Sequence, residues 1–491
     1  MYLSFQVTFA FPFIAYACKA ARDSMNAVPL EALQRVVGKP NLLVSAEERF
    51  TYAFDASKLE AVPDAVVFPA SAEEVSEILA LAVRYGFPVV PRGAGSGMVG
   101  GVLAQKGGVV LVLTRLNRIL ELDPENMLAV VEPGVVTGRL QAEAARHGLF
   151  YPPDPASLQF STLGGNVATG AGGPRAVKYG VTRDYVLGLE VVLPTGAAIR
   201  TGARTIKSVV GYDLTRLFVG SEGTLGVVTQ ITLRLIPAPE TVRTLLAVFP
   251  DLDDAARTVS AVMRSRIIPS TLEFMDRATI EAVENHLKLG LPTEAEAILL
   301  IEVDGRHTVV DEDAARVEAI CREHGATQVE RAGTDTERDR LWKARRSISP
   351  ALGRIRSGKI NEDVTVPRTR IPELIRTIRD LAARYDLVIV NFGHAGDGNI
   401  HTNIMVDRKD ADELRRAERA VEELFRAVID LGGTLSGEHG IGITKSPFLQ
   451  WEVDEGAFEA MWRIKRALDP ANILNPGKMF VPNRAFFAKG S

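Results

Sequence analysis

Cysteine is nearly absent from this chain: there are two, Cys18 and Cys321, in 491 residues. Two thiols cannot ligate an iron–sulfur cluster or a Cys-type zinc site, so any iron–sulfur relay must sit in another chain. The scarcity also suits a reducing compartment, and a cytoplasmic protein is expected. Charge of one sign is not in excess either. Lys and Arg total 57 against 61 Asp and Glu, and no basic run breaks the balance, which excludes the electrostatic footprint of nucleic-acid binding. No apolar run reaches the roughly 20 residues of a membrane-spanning helix. The nearest, Phe5 to Cys18, is too short, and it lacks the basic start of a secretory signal because the first lysine is Lys19. Translation is therefore expected to begin at Met25, with residues 1–24 a non-native or disordered extension. Short-period repeats and low-complexity stretches are missing as well.

What remains is globular in composition, 46% apolar and 24% charged, in a chain long enough for two or three domains. Ser71 and Glu74 predict a capping box ahead of Val75, Ile78, Leu79, Ala82 and Val83 at helical spacing, and Gly86 stops that helix. Strands are expected at Val89 and Val90, Val109 to Leu113 and Leu128 to Val131, then a helix capped by Thr137 and running to His147. Two β-rich runs between Val186 and Ile199 flank Pro194-Thr195-Gly196 as a hairpin. A strand from Val227 to Ile236 ends at Pro237 and Pro239, the expected domain boundary. Beyond it, helix-like stretches (Asp253 to Ser265, Val309 to His324, Ile371 to Tyr385, Asp410 to Leu431) alternate with β-rich ones (Leu245 to Phe249, Ile298 to Val303, Leu387 to Phe392), the texture of antiparallel α+β. A helix around Phe458 to Leu468 and an Asn-Pro-Gly turn follow.

Glycine is concentrated in a few places. Gly95-Ser96-Gly97-Met98-Val99-Gly100 matches G-x-G-x-x-G, but a Rossmann fingerprint must open a helix, and here a second glycine pair, a polar turn and a strand follow. A nest of backbone N–H groups closing on phosphates without a helix is the alternative use of such a loop. The stiff run Pro152 to Pro155, the small residues Leu163 to Gly170 with Gly172-Gly173, and Gly220 to Gly226 point the same way. Backbone that approaches a flat ligand closely needs such residues, because a Cβ would clash.

Histidine is concentrated too. Of seven, three fall in His394-Ala395-Gly396-Asp397-Gly398-Asn399-Ile400-His401 and Gly437-Glu438-His439-Gly440. Two imidazoles at the rims of a glycine-rich turn between two strands can converge on one point. Glu438 and His439 offer the further ligand that a metal site needs. The other histidines, His147, His286, His307 and His324, read as ordinary core or surface residues.

The order Pro91-Arg92-Gly93-Ala94-Gly95-Ser96-Gly97, Glu132-Pro133-Gly134, Pro153-Asp154-Pro155, Gly164-Gly165-Asn166 and Gly220-Ser221-Glu222-Gly223-Thr224-Leu225-Gly226 resembles the vanillyl-alcohol-oxidase (PCMH-type) FAD-binding domain. From about residue 40 to 482 the chain resembles the glycolate oxidase FAD subunit and D-lactate dehydrogenase group. The resemblance implies non-covalent FAD, since Ser96 stands where some relatives carry a linking histidine. It implies cofactor contacts from Arg92, Gly93, Ala94, Gly95, Ser96, Gly97, Pro153, Asp154, Ser157, Gly164, Gly165, Asn166, Glu222, Gly226, Val227 and Asn475. By the same resemblance His394, His401 and Glu438 would ligate Zn²⁺ or a similar divalent ion, and His439 would be the base. Arg345, Asn403 and Lys359 would meet the substrate, with Arg346 a solvent-facing rival to Arg345.

The expected fold class is α+β: a two-part FAD-binding domain of mixed strands and helices at 25–237, an antiparallel α+β substrate (cap) domain at 238–435, and a C-terminal helical segment at 436–491 closing over the flavin site. The expected reaction is oxidation of a small D-2-hydroxy acid, glycolate or D-lactate, to the 2-oxo acid. The electrons would pass on to an iron–sulfur subunit, an electron-transfer flavoprotein or a quinone. A D-2-hydroxyglutarate dehydrogenase, with Lys359 or Arg346 holding the second carboxylate, and a flavin-free metal hydrolase are the competing expectations.

Overall fold

The computed structural model describes residues 28–480, so the expected extension at 1–24, Cys18 included, lies outside the described residues. The fold is α+β and rests on three main sheets. In the first, Ala65–Val67 and Val89–Arg92 both pair in parallel with the central strand Val109–Val112, while Leu42–Leu43 adds an antiparallel edge. The crossover between the two parallel strands is the helix Ala72–Tyr85, whose Val75, Ile78, Leu79 and Ala82 are buried on the sheet. Ser71 caps it by accepting from Glu74 N at 3.3 Å, and Gly86 ends it in the left-handed region at φ +67°. The predicted capping box is only half formed, because Glu74 accepts from Ala70 N at 2.7 Å instead of from Ser71 N.

The second sheet is antiparallel, in the order Ile119–Asp123, Leu128–Val131, Val227–Arg234, Val186–Val192, Ala198–Gly202. Along Val227–Arg234 buried and half-buried residues alternate strictly, the period of a strand with one face on a core. The hairpin expected around Pro194 to Gly196 joins its last two strands. Thr137 does not cap the following helix. It is the first residue of Thr137–Ala145, and its hydroxyl is bound to Ser161 O and Asn166 Nδ2. The small residues after Thr162, for which the sequence analysis assigned no helix, form one, Leu163–Thr169.

The third sheet has seven antiparallel strands, in the order Gln328–Arg331, Thr241–Phe249, Ala297–Gly305, Thr271–Asp276, Val388–His394, Asn399–Val406, Gly358–Thr365. Helices Leu252–Arg264, His307–Glu323, Ile371–Tyr385 and Ala411–Asp430 cover one face. Arg277–Leu287, Asp335–Arg346 and Ile348–Leu352 cover part of the other. Because both faces are covered, every residue of Asn399–Val406 is buried, and no polar–apolar alternation marks that strand in the sequence.

The C-terminal segment returns to the first sheet. After the helix Glu455–Leu468, Val89 N donates to Ile473 O at 2.8 Å and Asn475 N donates to Val89 O at 2.9 Å. Buried Lys465 pins this return by donating to Thr224 O, Leu474 O and Asp469. Among the described residues no helix is long and apolar enough to cross a membrane.

Candidate active site

The half-covered face of the large sheet carries a row of polar side chains set by register. Glu273 lies opposite His394, His401 opposite Asp363, and Asn403 opposite Asn361. Residues directly opposed across a ladder share a face, so the alternation that buries Ile400 and Ile404 on one side turns His401 and Asn403 to the other. His394 closes its strand, Ala395 to Gly398 form the turn, and His401 sits inside the next strand instead of at the turn's rim.

His394 Nε2 and His401 Nε2 are 3.3 Å apart, and Glu438 Oε1 lies 3.6 Å from the first and 3.4 Å from the second. Tetrahedral coordination at metal–ligand distances of about 2.0–2.1 Å requires ligand-to-ligand edges of roughly 3.3–3.4 Å, so this triangle fits one face of a zinc-like site. Among the described residues it is the one group of three ligand side chains with metal-binding spacing. Glu273 approaches His394 Nδ1 to 2.6 Å, the carboxylate–histidine arrangement that turns Nε2 towards an ion. Burial opposes ionisation of Glu438, but the three histidines around it outweigh that and bring its carboxyl down to about 2. Burial pushes His401 down to about 3, which leaves a neutral imidazole. Burial also opposes charge on His394, yet Glu273 and Glu438 together raise it well above its ordinary value.

His439 borders this cage. Its ring stacks on His401 with centroids 5.4 Å apart, and Nε2 lies 3.9 Å from Glu438 Oε1. Nδ1 lies 3.2 Å from Asp363 Oδ1, close enough for charge attraction but off the line of a good hydrogen bond. Burial lowers its basicity, and Asp363 and Glu438 more than restore it, for a net rise. Arg345 reaches the same place from the helix Asp335–Arg346. Its Nε donates to Glu273 Oε2 at 2.5 Å, and its guanidinium stacks 4.8 Å from the Phe392 ring centre. Arg346 points outward to Asp339, as expected. Asn403 is oriented by Asn361, whose Nδ2 donates to Asn403 Oδ1 at 2.5 Å. Lys359 stands further along the strand, donating to Ser349 Oγ at 3.2 Å.

Glu273, Asp363 and Lys445 escaped sequence reasoning as site residues. For Glu273 alone the sequence carried a signal, a carboxylate inside the otherwise strand-like apolar run Leu272-Glu273-Phe274. Such a residue is buried whichever face it takes.

The glycine segments converge from the other side. A methyl group on Gly93 would come within 2.2 Å of Thr162 Oγ1 and 3.8 Å of Gly165 N, so the first glycine loop runs in contact with the start of the helix Leu163–Thr169. Gly95 adopts φ +74°, whereas a side chain at Gly97 would meet nothing within 4 Å. Tightly apposed backbone with open space beside it suits a phosphate-bearing cofactor, and half-buried Ser96 and exposed Ala94 sit on the same open loop. Gly172 carries this surface to the His/Glu cage: a methyl there would lie 2.9 Å from Glu438 Oε2 and 3.3 Å from its Cβ.

Other predicted cofactor contacts are engaged within the protein. Arg92 is buried and donates to Phe54 O at 2.9 Å, supporting the loop beneath the glycines instead of opening into the space. Glu222 is likewise engaged internally: its two carboxylate oxygens accept from Ile441 N and Gly442 N at 2.7 and 2.8 Å. The amide of Asn475 spans Gly101 O and Glu222 O, both at 2.8 Å. Gly226 and Val227 pack into strand pairing against Val191 and Val192, which explains the small residue without a ligand. Asp154 binds Arg175, and Pro153 O accepts from Gln141. Asn166 bonds Thr137, and Ser157 O accepts from Phe160 N and Ser161 N.

Residues 63–202 match the family described as FAD binding domain, and residues 238–479 match FAD linked oxidases, C-terminal domain. The chain is 48% identical to the glycolate oxidase subunit GlcD of Bacillus subtilis over 451 residues, covering 92% of this chain and 96% of that protein. It is 37% identical to the D-lactate dehydrogenase of Anaerostipes hadrus, covering 92% of this chain and 98% of that one. Among solved structures, p-cresol methylhydroxylase superposes with a TM-score of 0.78 over 92% of this chain and 96% of its own at 19% identity, a likeness of fold alone.

Proposed function

The chain belongs to the FAD-linked oxidases, and on that premise we propose that it oxidises a small D-2-hydroxy acid, glycolate or D-lactate, to the 2-oxo acid. The observation that carries this reading is the contact between Gly172 and Glu438, which brings the glycine-lined cofactor surface to the His394–His401–Glu438 cage. A flavin-free hydrolase is set aside by the family match.

Arg345 would bind the substrate carboxylate. Glu273 takes its Nε, which leaves the Nη edge of the fork for a bidentate pair, and Phe392 holds the guanidinium plane. Asn403, fixed by Asn361, would contact the same substrate. His439 Nε2 would take the hydroxyl proton as the carbon is oxidised. A divalent ion held by His394, His401 and Glu438 would act as a Lewis acid on the hydroxyl, lowering its pKa towards that of an imidazole. Non-covalent FAD would accept the hydride. The Glu222 bonds to Ile441 and Gly442 tie the His439 turn to the glycine-lined region, and the Val89–Leu474 bridge anchors the C-terminal return on the first sheet.

A D-2-hydroxyglutarate dehydrogenase is the second reading. Lys359 favours it: a half-buried ammonium that meets no carboxylate among the described residues, on the sheet face that carries Asn403. The electrons leave through a partner, since the chain cannot hold an iron–sulfur cluster and relatives carry the name of a subunit. A cytoplasmic setting accords with the scarcity of cysteine. The test is anaerobic mixing of the flavin-loaded protein with D-lactate, L-lactate, glycolate and D-2-hydroxyglutarate. Rapid bleaching by D-lactate or glycolate supports the proposal, fastest bleaching by D-2-hydroxyglutarate promotes the second reading, and a flavin that none of them reduces rejects both.

A further inference from the structure

Behind His439 lies a buried ion pair that the proposed reaction does not touch. Lys445 is 0% exposed. Its ammonium contacts Asp363 Oδ1, donates to Leu435 O at 2.7 Å and lies 3.6 Å from Glu362 Oε2. Asp363 is also 0% exposed, and its carboxylate gathers donors from the turn that carries the site. Ser436 Oγ lies 3.1 and 3.2 Å from its two oxygens, and Glu438 N and His439 N donate at 2.7 and 2.8 Å. Gly437 N donates to the backbone O of the same residue at 2.9 Å.

Stability alone does not explain such a pair, because replacing a buried ion pair by apolar groups of similar size is often neutral or stabilising. Its placement offers a reason. Asp363 Oδ1 faces Nδ1 of His439, while Nε2 of the same ring faces Glu438 Oε1 and the cage. An anion beside Nδ1 favours the tautomer protonated there, which leaves the lone pair on Nε2. Base and orienter then stand in the relation expected of a proton-abstracting site.

We propose that Asp363, held in place by Lys445, is the positioning residue that sets the tautomer and orientation of His439 and so makes Nε2 the proton-accepting atom. This rests on the reading of His439 as the base. A mere staple for the 436–440 turn would require only an acceptor for the amides, whereas a positioning role requires the negative charge. Asp363→Asn separates the two, since asparagine keeps an oxygen for the amides but loses the charge. Alone it leaves Lys445 buried without its counter-ion, so Asp363→Asn/Lys445→Met is the companion variant. It removes both charges and carries the test if the single variant is too unstable to purify.

The experiment uses the full chain loaded with FAD and metal, with four measurements on each variant: thermal midpoint, flavin and metal content, the limiting rate of anaerobic flavin reduction, and the ¹⁵N resonances of His439 in histidine-labelled protein. In the double variant we expect the midpoint and both contents near wild type, but reduction slowed by about 10²–10⁴, the span that a positioned general base contributes. The His439 nitrogens are expected to lose the Nδ1-protonated pattern. A double variant that reduces flavin at the wild-type rate with unchanged His439 nitrogens overturns the inference. His439→Asn run alongside keeps the two claims apart. If it is slow while the Asp363 variants are fast, the base stands and the positioning role falls. If His439→Asn reduces flavin as fast as wild type, the base reading itself fails and the inference goes with it.

Discussion

Glu273→Gln tests whether the cage depends on the residue behind its first histidine. Glu273 is 0% exposed and serves two donors, His394 Nδ1 at 2.6 Å and Arg345 Nε at 2.5 Å, the latter on a side chain only 11% exposed. Glutamine keeps the shape and one acceptor, so one of the two donors loses its partner and the guanidinium loses its counter-charge. Removing one member of a buried pair costs about 3–5 kcal/mol, and the retained bond argues for about 3. In a cooperative unit of about 150–250 residues that lowers the thermal midpoint by roughly 6–12 °C. The orienting effect on His394 is separate. Loss of a carboxylate behind a metal-binding histidine weakens metal affinity by about 10–100-fold. Competition with a chromophoric chelator measures the affinity, and scanning calorimetry of metal-free protein measures the midpoint. Glu302→Gln is the control: that carboxylate is also buried, but it holds Thr244 Oγ1 and Trp342 Nε1 at 2.6 and 2.7 Å, away from the cage. It should lower the midpoint without changing metal affinity. If Glu273→Gln binds metal within twofold of wild type, or if Glu302→Gln weakens binding equally, the orienting argument is refuted.

Three further outcomes are expected. Gly172→Ala places a methyl 2.9 Å from Glu438 Oε2, so metal affinity and turnover should fall, by up to about 10²-fold for a displacement near 1 Å, with little change in midpoint; unchanged affinity would mean the carboxylate does not sit there. Burial pushes Lys478 down to about 8, so between pH 8 and 10 the unfolded chain keeps a proton that the fold has released, and stability rises with pH. The rise is at most about 3 kcal/mol, should vanish in Lys478→Met, and is read by urea unfolding at pH 7.5 and 9.5; a fall in wild type relative to the variant would contradict it. Cys321 is buried with its thiol pushed up to about 12, so iodoacetamide at pH 8 should leave it unmodified until denaturant is added, as peptide mapping would show, and rapid labelling in the native state would count against the packing.

Much of the fold was legible because its signals are local. Helical spacing with a glycine stop marked Ala72–Tyr85, and the helix Ile371–Tyr385 matches its sequence prediction at both ends. Thr271–Asp276 and Gly358–Thr365 were not foreseen. Their residues are buried on both faces or interrupted by charge, so period-two alternation disappears. The helix Leu163–Thr169 was missed for a related reason: glycine disfavours helix locally, and contacts with Pro133 and Thr162 override that preference.

The same division runs through the site. His394, His401, Glu438 and His439 stand in two short motifs whose glycines and spacing can be read along the chain, and the family resemblance pointed to the two motifs as one cluster. The sequence also determined that the chain lacks an iron–sulfur relay of its own. Only the tertiary structure decided what stands behind them: Glu273 behind His394, Asp363 and Lys445 behind His439, and Gly172 against Glu438. It likewise showed that Arg92, Glu222 and Asn475 hydrogen-bond to backbone far away in sequence, bracing the loops. Spacing along a chain specifies neighbours within a turn or a strand. Partners many tens of residues away are specified by strand register and by which sheet faces which loop, and those follow from how the whole core packs.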